Sequence, residues 1–452
     1  MPAILKINIQ QFIDARRIAP FQLKVLALCF LVVAIDGFDT AAVGYIAPAL
    51  KGEWNLVPTQ LSSLFGAGLF GLMAGALLFG PLADKVGRRT ILIISTAFFG
   101  LASIASASSS SIEALMVWRF VTGIGLGGAM PSAITLTSEY CPERNRSLLV
   151  MIMFCGFTMG GALGGLSAAA LIADFGWQGV LVLGGALPLV LAAVLLFLLP
   201  ESVRYLVLKG GRDTRVAGIL HQVDPAARVK GAQFVGVRHV EGSPVGQLFK
   251  PGLVVGTLLL WVTFFMSLLV FYLLTSWLPT LLNSSGQSMM SASLIALMLP
   301  IGSTIGAIPI GLLMDRYDPH LVLACSYTLA AAFILMLGFS TGSIALLVIA
   351  VFGAGIGTGG SQIGINALSA AFYPTASRAT GVSWANAVGR TGSVLGSMVG
   401  GQLLALGWSL GAVFGLAAIP ALIAGLAILA KGRAAAAPAI LVAPVDSSGR
   451  PA

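Results

Sequence analysis

Asp36 and Asp39 interrupt an apolar run, Val25 to Leu50, that carries no other charge. If the run is a helix rising roughly 1.5 Å per residue, Asp36 lies about 18 Å beyond Lys24, at midplane depth in a bilayer. An ionised carboxylate there costs about 3 kcal/mol, so each must face a cavity, a proton or a cationic partner. Spaced i and i+3, the two share a helix face, and their proximity makes at least one a candidate proton carrier; pairing with an Arg merely to hold helices together is the alternative. Arg390 stands equally deep in the second half of the chain, past Arg378. A guanidinium grips a carboxylate through two parallel hydrogen bonds, which suits recognition of an organic anion. Neutralising Asp36 or a helix C-terminus is the alternative role, and both could alternate. Arg119, in Trp118-Arg119-Phe120, begins another run about 9 Å in and could pair with Asp39.

Polar residues of two further runs could complete an amphipathic aromatic pocket. Gln362 and Asn366 are four apart on one helix face, with Tyr373 beyond them, and Trp384 and Asn386 share a run with Arg390. Interhelical hydrogen bonding or packing is the competing role for each. The histidines, His221, His239 and His320, lie in a polar segment or at a run's edge, so none is placed to relay protons at the midplane. The four cysteines lack paired spacing, so neither a disulfide framework nor a metal site is expected. Gly123-Ile124-Gly125-Leu126-Gly127-Gly128 has glycines like a dinucleotide loop but lies inside an apolar run with no strand before it, so close helix packing is expected instead. No phosphate-binding Gly-Lys-Ser/Thr loop occurs, and no nucleophile, metal cluster or cofactor loop lies near the midplane residues. The expectation is therefore no cofactor, no enzyme activity, and an ion gradient as the energy source.

The elements that must hold these residues follow from composition. Of 452 residues, 57% are hydrophobic and 9% charged, against roughly 25% charged in soluble domains. Breaking the apolar runs at polar or Gly/Pro/Ser clusters predicts spans near 25–47, 60–82, 91–109, 114–138, 147–172 and 178–199, then 253–282, 290–313, 320–339, 343–371, 379–405 and 409–430. The first is read as an uncleaved span, because it is too long for a secretory core and has no small-residue cleavage site. With the N-terminus in the cytoplasm, every Lys and Arg except Lys51, Arg119 and Arg390 falls in a cytoplasmic segment. The net charge of +9 is thus a topology signal rather than a nucleic-acid signal. The expected organisation is a cytoplasmic N-terminal segment (1–24), a six-helix half (25–200), a basic cytoplasmic linker (201–250), a second six-helix half (251–430) and a disordered cytoplasmic tail (431–452). Gly80-Pro81-Leu82-Ala83-Asp84 is echoed by Gly311-Leu312-Leu313-Met314-Asp315, in each case in the turn after a half's second span. At nearly the same offset, Pro142 and Arg146 match Pro374 and Arg378, and Gly160, Leu163 and Gly164 match Gly392, Leu395 and Gly396. These echoes argue for duplicated halves related by an axis along the membrane normal, with a site between them.

The turn Gly80-Pro81-Leu82-Ala83-Asp84-Lys85-Val86-Gly87-Arg88-Arg89 resembles the signature loop of the major facilitator superfamily. The resemblance implies an all-α membrane protein of twelve transmembrane helices in two pseudo-symmetric six-helix halves. It gives Gly80, Asp84, Gly87, Arg88 and Arg89 a part in a cytoplasmic gate, with Asp315 and Arg316 as a weaker second copy and Arg378 alongside. Arg119 followed by Gly123, Gly125 and Gly127 resembles the fourth-span motif, which implies proton coupling for Arg119. Glu139 and Arg144 resemble the charge-relay partners of the loop. In span five, Gly161 stands where exporters of the superfamily carry Pro, which disfavours export of drugs or metabolites, the leading alternative function. Asp36-Gly37-Phe38-Asp39-Thr40 with Ile46-Ala47-Pro48, and Gln362 to Gly401 with Tyr373-Pro374-Thr375 and Arg378-Ala379-Thr380-Gly381-Val382, resemble the aromatic acid:proton symporters. That resemblance covers nearly all spans. It implies import of a small aromatic carboxylate, of the 4-hydroxybenzoate or protocatechuate kind, with protons, by a monomer in the cell inner membrane with both termini cytoplasmic. Its partners would be the acid, protons and the lipid bilayer, with no nucleic acid. A non-transporting sensor for the same acids is a third reading, which no appended signalling domain supports.

Overall fold

A computed structural model describes residues 6–227, 232–235, 245–340, 342–373 and 377–436. Pro374, Thr375, Arg228, His239 and the tail beyond 436 lie outside the described residues, as does the side chain of Arg378. A short strand β1 (Lys6–Asn8) and helix α1 (Ile9–Asp14) precede four long helices, α2 (Pro20–Trp54), α3 (Pro58–Val86), α4 (Arg88–Ala107) and α5 (Ile112–Tyr140). The helical stretch α6 (Glu143–Leu198) is broken at Gly176, whose φ of 65° and ψ of −175° are open to glycine and costly for other residues. It therefore makes two passes. After α7 (Val203–Lys209), α8 (Asp213–Val223) and β2 (Gln233–Val235) come α9 (Val254–Ser284), α10 (Met289–Ala296) and its continuation α11 (Met298–Arg316), and α12 (Pro319–Phe339). One pass is then composite, α13 (Ile344–Gly355), a π-turn at Ile356–Gly360 and α14 (Ser361–Phe372); α15 (Arg378–Ala405) and α16 (Leu410–Ala436) complete the chain.

Ten helical segments among the described residues are long and apolar enough to cross a membrane. Counting α6 as two passes and adding α15, which is long enough but more polar, makes twelve. Pro at the first position of α2 and α3 suits helix starts, because no intrahelical partner is lost there. The first pass thus begins at Pro20 rather than Val25, and the last runs on to Ala436, past the expected start of the tail. Gly80 to Asp84 lies in the closing turns of α3 rather than in a turn, and Gly311 to Asp315 lies inside α11. The chain turns back after α3 only at Gly87, because the residues up to Val86 sustain the helix.

The packing repeats between halves. In the first, α2 packs on the early part of α6, α3 on α5, and α4 on the rest of α6; in the second, α9 packs on α15, α11 on the α13–π-turn–α14 pass, and α12 on α16. Each second-half pair is the counterpart of a first-half pair, which makes the halves pseudo-symmetric. Most helices are apolar around their whole circumference, as membrane spans are. Small residues let the backbones approach closely: a Cβ on Gly160 would strike the Ala34 carbonyl of α2.

At the end bearing the α3–α4 loop, the described residues before α2, helix α8 and strand β2 are built into the first half. β1 pairs in parallel with β2, and Ile9, Phe12 and Ile13 share an apolar cluster with Val216, Leu220, Val223 and Phe234. Arg16 donates to Asp224 at 2.6 Å, and this hydrogen bond holds the Asp224 carboxyl below its ordinary range.

Candidate functional site

α2 carries Asp36 and Asp39, both buried, to different neighbours. Asp39 turns to α4 and α5. Arg119 donates from both terminal nitrogens to its carboxylate, at 3.0 and 2.6 Å, and the Ser103 hydroxyl donates at 3.2 Å. This is a bidentate, desolvated charge pair within the first half. Asp36 accepts only a long bond from Thr40, at 3.4 Å, and its second oxygen has no partner. Its electrostatic neighbours are Arg390 and Tyr272 of the second half, and Asp39 itself. The two carboxylates stay neighbours on one side of α2, and the roughly 60° between their side chains is enough to give one to α5 and leave the other beside the second half.

Arg390, half-buried on α15, forms no ion pair among the described residues. It donates to the Tyr272 hydroxyl at 3.3 Å and to the Met130 thioether at 3.1 Å. A phenol and a sulfur are weak partners for a cation in an apolar bundle, and a guanidinium has five donors to satisfy. Seven and three residues before it, the exposed Ser383 and Ala387 lie on nearly the same side of α15. Trp384 does not: six residues place it about 120° away, where it stacks on Trp261 of α9 at 6.0 Å. The expectation that Trp384 joins Arg390 in one pocket is corrected accordingly.

Gln362, Asn366 and Asn386 form part of a polar network between helices. Asn386 donates to Asn366 at 3.2 Å, Asn366 donates to the Gln362 carbonyl at 2.7 Å, and Gln362 accepts from Ser267 at 2.6 Å. The Tyr327 hydroxyl closes the chain by donating to Ser267 at 2.8 Å. Sequence spacing located three members of this network and missed Ser267 and Tyr327, which a helical pattern cannot distinguish from packing residues.

Between the halves lie two adjoining cavities that share Thr40. One is walled by Tyr45, Phe157, Thr158, Phe271 and Pro300; the other includes Arg119, Tyr272, Phe65 and Ser276. Tyr272 and Phe271 belong to one apolar cluster with Leu268, against which Phe157 packs. The arrangement offers a cationic pole at Arg390, a carboxylate at Asp36, and aromatic walls alongside. Tyr272, Phe157 and Phe271 were not singled out in the sequence, because single aromatics in an apolar run carry no spacing signal.

The halves touch mainly away from the α3–α4 loop. Ser62 donates to the Met398 carbonyl at 2.8 Å near that far end, and Thr158 and Thr304 are hydrogen-bonded at 2.6 Å nearer the middle. Near the α3–α4 loop no ion pair among the described residues joins the halves.

The Major Facilitator Superfamily profile matches residues 29–307 and 260–444. The chain belongs to the Major Facilitator Superfamily. It is 46% identical to the 4-hydroxybenzoate transporter PcaK of Pseudomonas aeruginosa, with 96% of this chain and 97% of that one covered. It is 43% identical to the gallate transporter of Pseudomonas putida over 96% of this chain and 97% of that one. Among solved structures it resembles the Escherichia coli xylose transporter XylE in its partially occluded inward open conformation, with a TM-score of 0.71, 17% identity, and 90% and 98% of the two chains covered. At that identity the likeness concerns the fold alone. These relatives make the chain a multi-pass membrane transporter, not an enzyme.

The superfamily loop has a definite geometry here. Asp84 pairs with Arg88 one turn on, and Arg89 donates to the Leu196 carbonyl. Gly87, at φ 113°, turns the chain beside the Glu201 carboxylate, which accepts from the Arg89 and Ser202 backbone N–H groups at 3.0 and 2.9 Å. Glu139 accepts from the Ser202 hydroxyl, with Arg88 and Arg204 as electrostatic neighbours. Glu201, unremarked in the sequence, is thus the residue that ties the loop to the end of α6. Arg144 is not part of this relay. It donates to the Arg16 carbonyl at 2.6 Å, because the ordered N-terminal segment lies against the start of α6. Gly80 has open space where a side chain would be, and Asp315 and Arg316 are exposed with no ion pair among the described residues. Gly87→Ala is expected to cost about 1–3 kcal/mol, since that backbone conformation is nearly confined to glycine, and a lowered melting temperature in detergent is the measurement.

Proposed function

We propose that this transporter imports a small aromatic carboxylate, of the 4-hydroxybenzoate or protocatechuate kind, together with protons, by alternating access. The observation that carries this reading is Arg390, a midplane guanidinium facing the other half whose partners among the described residues are a phenol and a thioether. A substrate carboxylate supplies the bidentate acceptor this group lacks. The aromatic character of the cargo rests on the walls beside it and on the relatives that transport 4-hydroxybenzoate and gallate.

In this mechanism Asp36 is the proton carrier. Protonated, it leaves Arg390 free for the substrate; once substrate and proton depart, the carboxylate and guanidinium neutralise one another and the empty carrier resets. Asp39 and Arg119 keep the first half charge-balanced while it rocks, and the Gln362–Asn366–Asn386 network holds α14 and α15 in register behind the site. Asp84, Arg88, Arg89, Glu139 and Glu201 shape the cytoplasmic edge that meets the second half when the carrier faces outward. Asp315, Arg316 and Arg378 are the surfaces it would meet. The placement is the cell inner membrane, both termini cytoplasmic, with the linker joining two six-helix halves and the whole site within one monomer.

Uptake of labelled 4-hydroxybenzoate into cells making the protein, with and without a protonophore and with benzoate, vanillate, gallate and protocatechuate as competitors, tests this. Protonophore-sensitive accumulation is expected. Absence of uptake of every aromatic acid, with the protein present in the membrane, would overturn it.

A further inference from the structure

Thr158 on α6 and Thr304 on α11 meet across the two halves, hydroxyl to hydroxyl at 2.6 Å. Each hydroxyl also lies within bonding distance of its own helix: Thr158 reaches the Cys155 carbonyl at 3.1 Å and Thr304 the Pro300 carbonyl at 3.0 Å. Three contacts thus call for a proton, and two hydroxyls carry only two between them. Both protons are therefore committed within the pair and its helices, while hydroxyl lone pairs remain free to accept. Such a pair welcomes a further O–H and gains nothing from a further acceptor.

Its position gives that preference a use. Thr158 lines the cavity walled by Phe157, Phe271 and Pro300, and Phe157 packs in the cluster containing Tyr272, the residue bonded to Arg390. The hydroxyl pair thus opens on an aromatic wall that continues, through Tyr272, to the Arg390 guanidinium. Those are the three parts needed to bind a carboxylate, its ring, and a ring substituent.

We propose that Thr158 and Thr304 form the specificity site for a phenolic hydroxyl on the substrate ring, distinguishing hydroxylated aromatic acids from unsubstituted benzoate. This rests on the aromatic-acid reading above. The phenol donates to a free lone pair of one hydroxyl, a bond the pair can accept without giving up a proton, whereas benzoate leaves that lone pair unused. Because the two residues belong to different halves, the bound hydroxyl also bridges them, so the hydroxylated substrate is favoured as the halves close around it.

The test compares competition by 4-hydroxybenzoate and benzoate against labelled 4-hydroxybenzoate uptake in the wild type, Thr158→Val, Thr304→Val and Thr158→Ser, each normalised to protein in the membrane. The wild type should prefer 4-hydroxybenzoate over benzoate by about fivefold to tenfold, the range of one hydrogen bond. Thr158→Val should bring the ratio close to one through weaker binding of the hydroxylated acid, with the maximal rate largely kept, and Thr158→Ser should restore it. Thr304→Val gives an independent reading should Thr158→Val fail to reach the membrane. An unchanged ratio in a Val variant that still transports would overturn the assignment while leaving the aromatic-acid reading intact. No transport of any of these acids by the wild type would overturn both.

Discussion

Arg390→Gln is expected to lower the efficiency of aromatic-acid uptake by about 100-fold or more, with the protein still present in the membrane. A charge-assisted bond to a carboxylate is worth about 1.5–3 kcal/mol, and a bidentate pair in a dry site exceeds a single bond. Gln keeps some hydrogen-bonding capacity but is shorter and removes the charge. Arg390→Lys keeps the charge and loses the fork, so an intermediate loss of about tenfold is expected, expressed mainly in the half-saturating concentration. Stability should change little, because the bonds lost in the resting protein are those to Tyr272 and Met130, neither of them an ion pair. Initial rates of labelled 4-hydroxybenzoate uptake, normalised to membrane protein, decide the matter. A variant transporting at wild-type efficiency would remove Arg390 from the substrate site.

The second large effect separates the two acidic residues of α2. Asp39→Ala strands the buried Arg119 guanidinium, and breaking one side of such a pair costs about 3–5 kcal/mol. The expected result is poor accumulation in the membrane and a markedly lower melting temperature in detergent. Replacing both partners with apolar residues of similar volume should recover much of the loss, since the pair is desolvated on both sides. Asp36→Asn should behave in the opposite way. Its carboxylate has one long bond and an unpartnered oxygen, so the protein should fold and reach the membrane. Uptake driven by a pH gradient should collapse, while exchange of internal for external substrate persists. If Asp36→Asn kept gradient-driven accumulation, the proton-carrier role would pass to another group.

Several outcomes show where reading a chain in one dimension stops. Depth is additive along a helix, so the midplane placement of Asp36 and Arg390 followed from their distance to Lys24 and Arg378. Angular position is additive too, and the sequence offered Arg119 as a partner for Asp39 and Arg390 as one for Asp36, yet it could not say that the first pair would close while the second would not. Trp384 was close to Arg390 in sequence and far from it around the helix. Arg144 matched a motif, but the ordered N-terminal segment claimed its guanidinium. Glu201 and Tyr272 carried no pattern at all.

The sequence by itself determined the passes, their duplication, the family and the charges set deep within apolar runs, because each depends on composition, period or local motif. The tertiary structure decided which of the possible charge pairs closes, that Arg390 has no ion pair among the described residues, and that Thr158 meets Thr304 across the halves. Those contacts join residues 80 or more apart in the chain, and they are set by how close glycine-lined backbones can approach and which face each helix turns inward, neither of which is written in the spacing of any single segment.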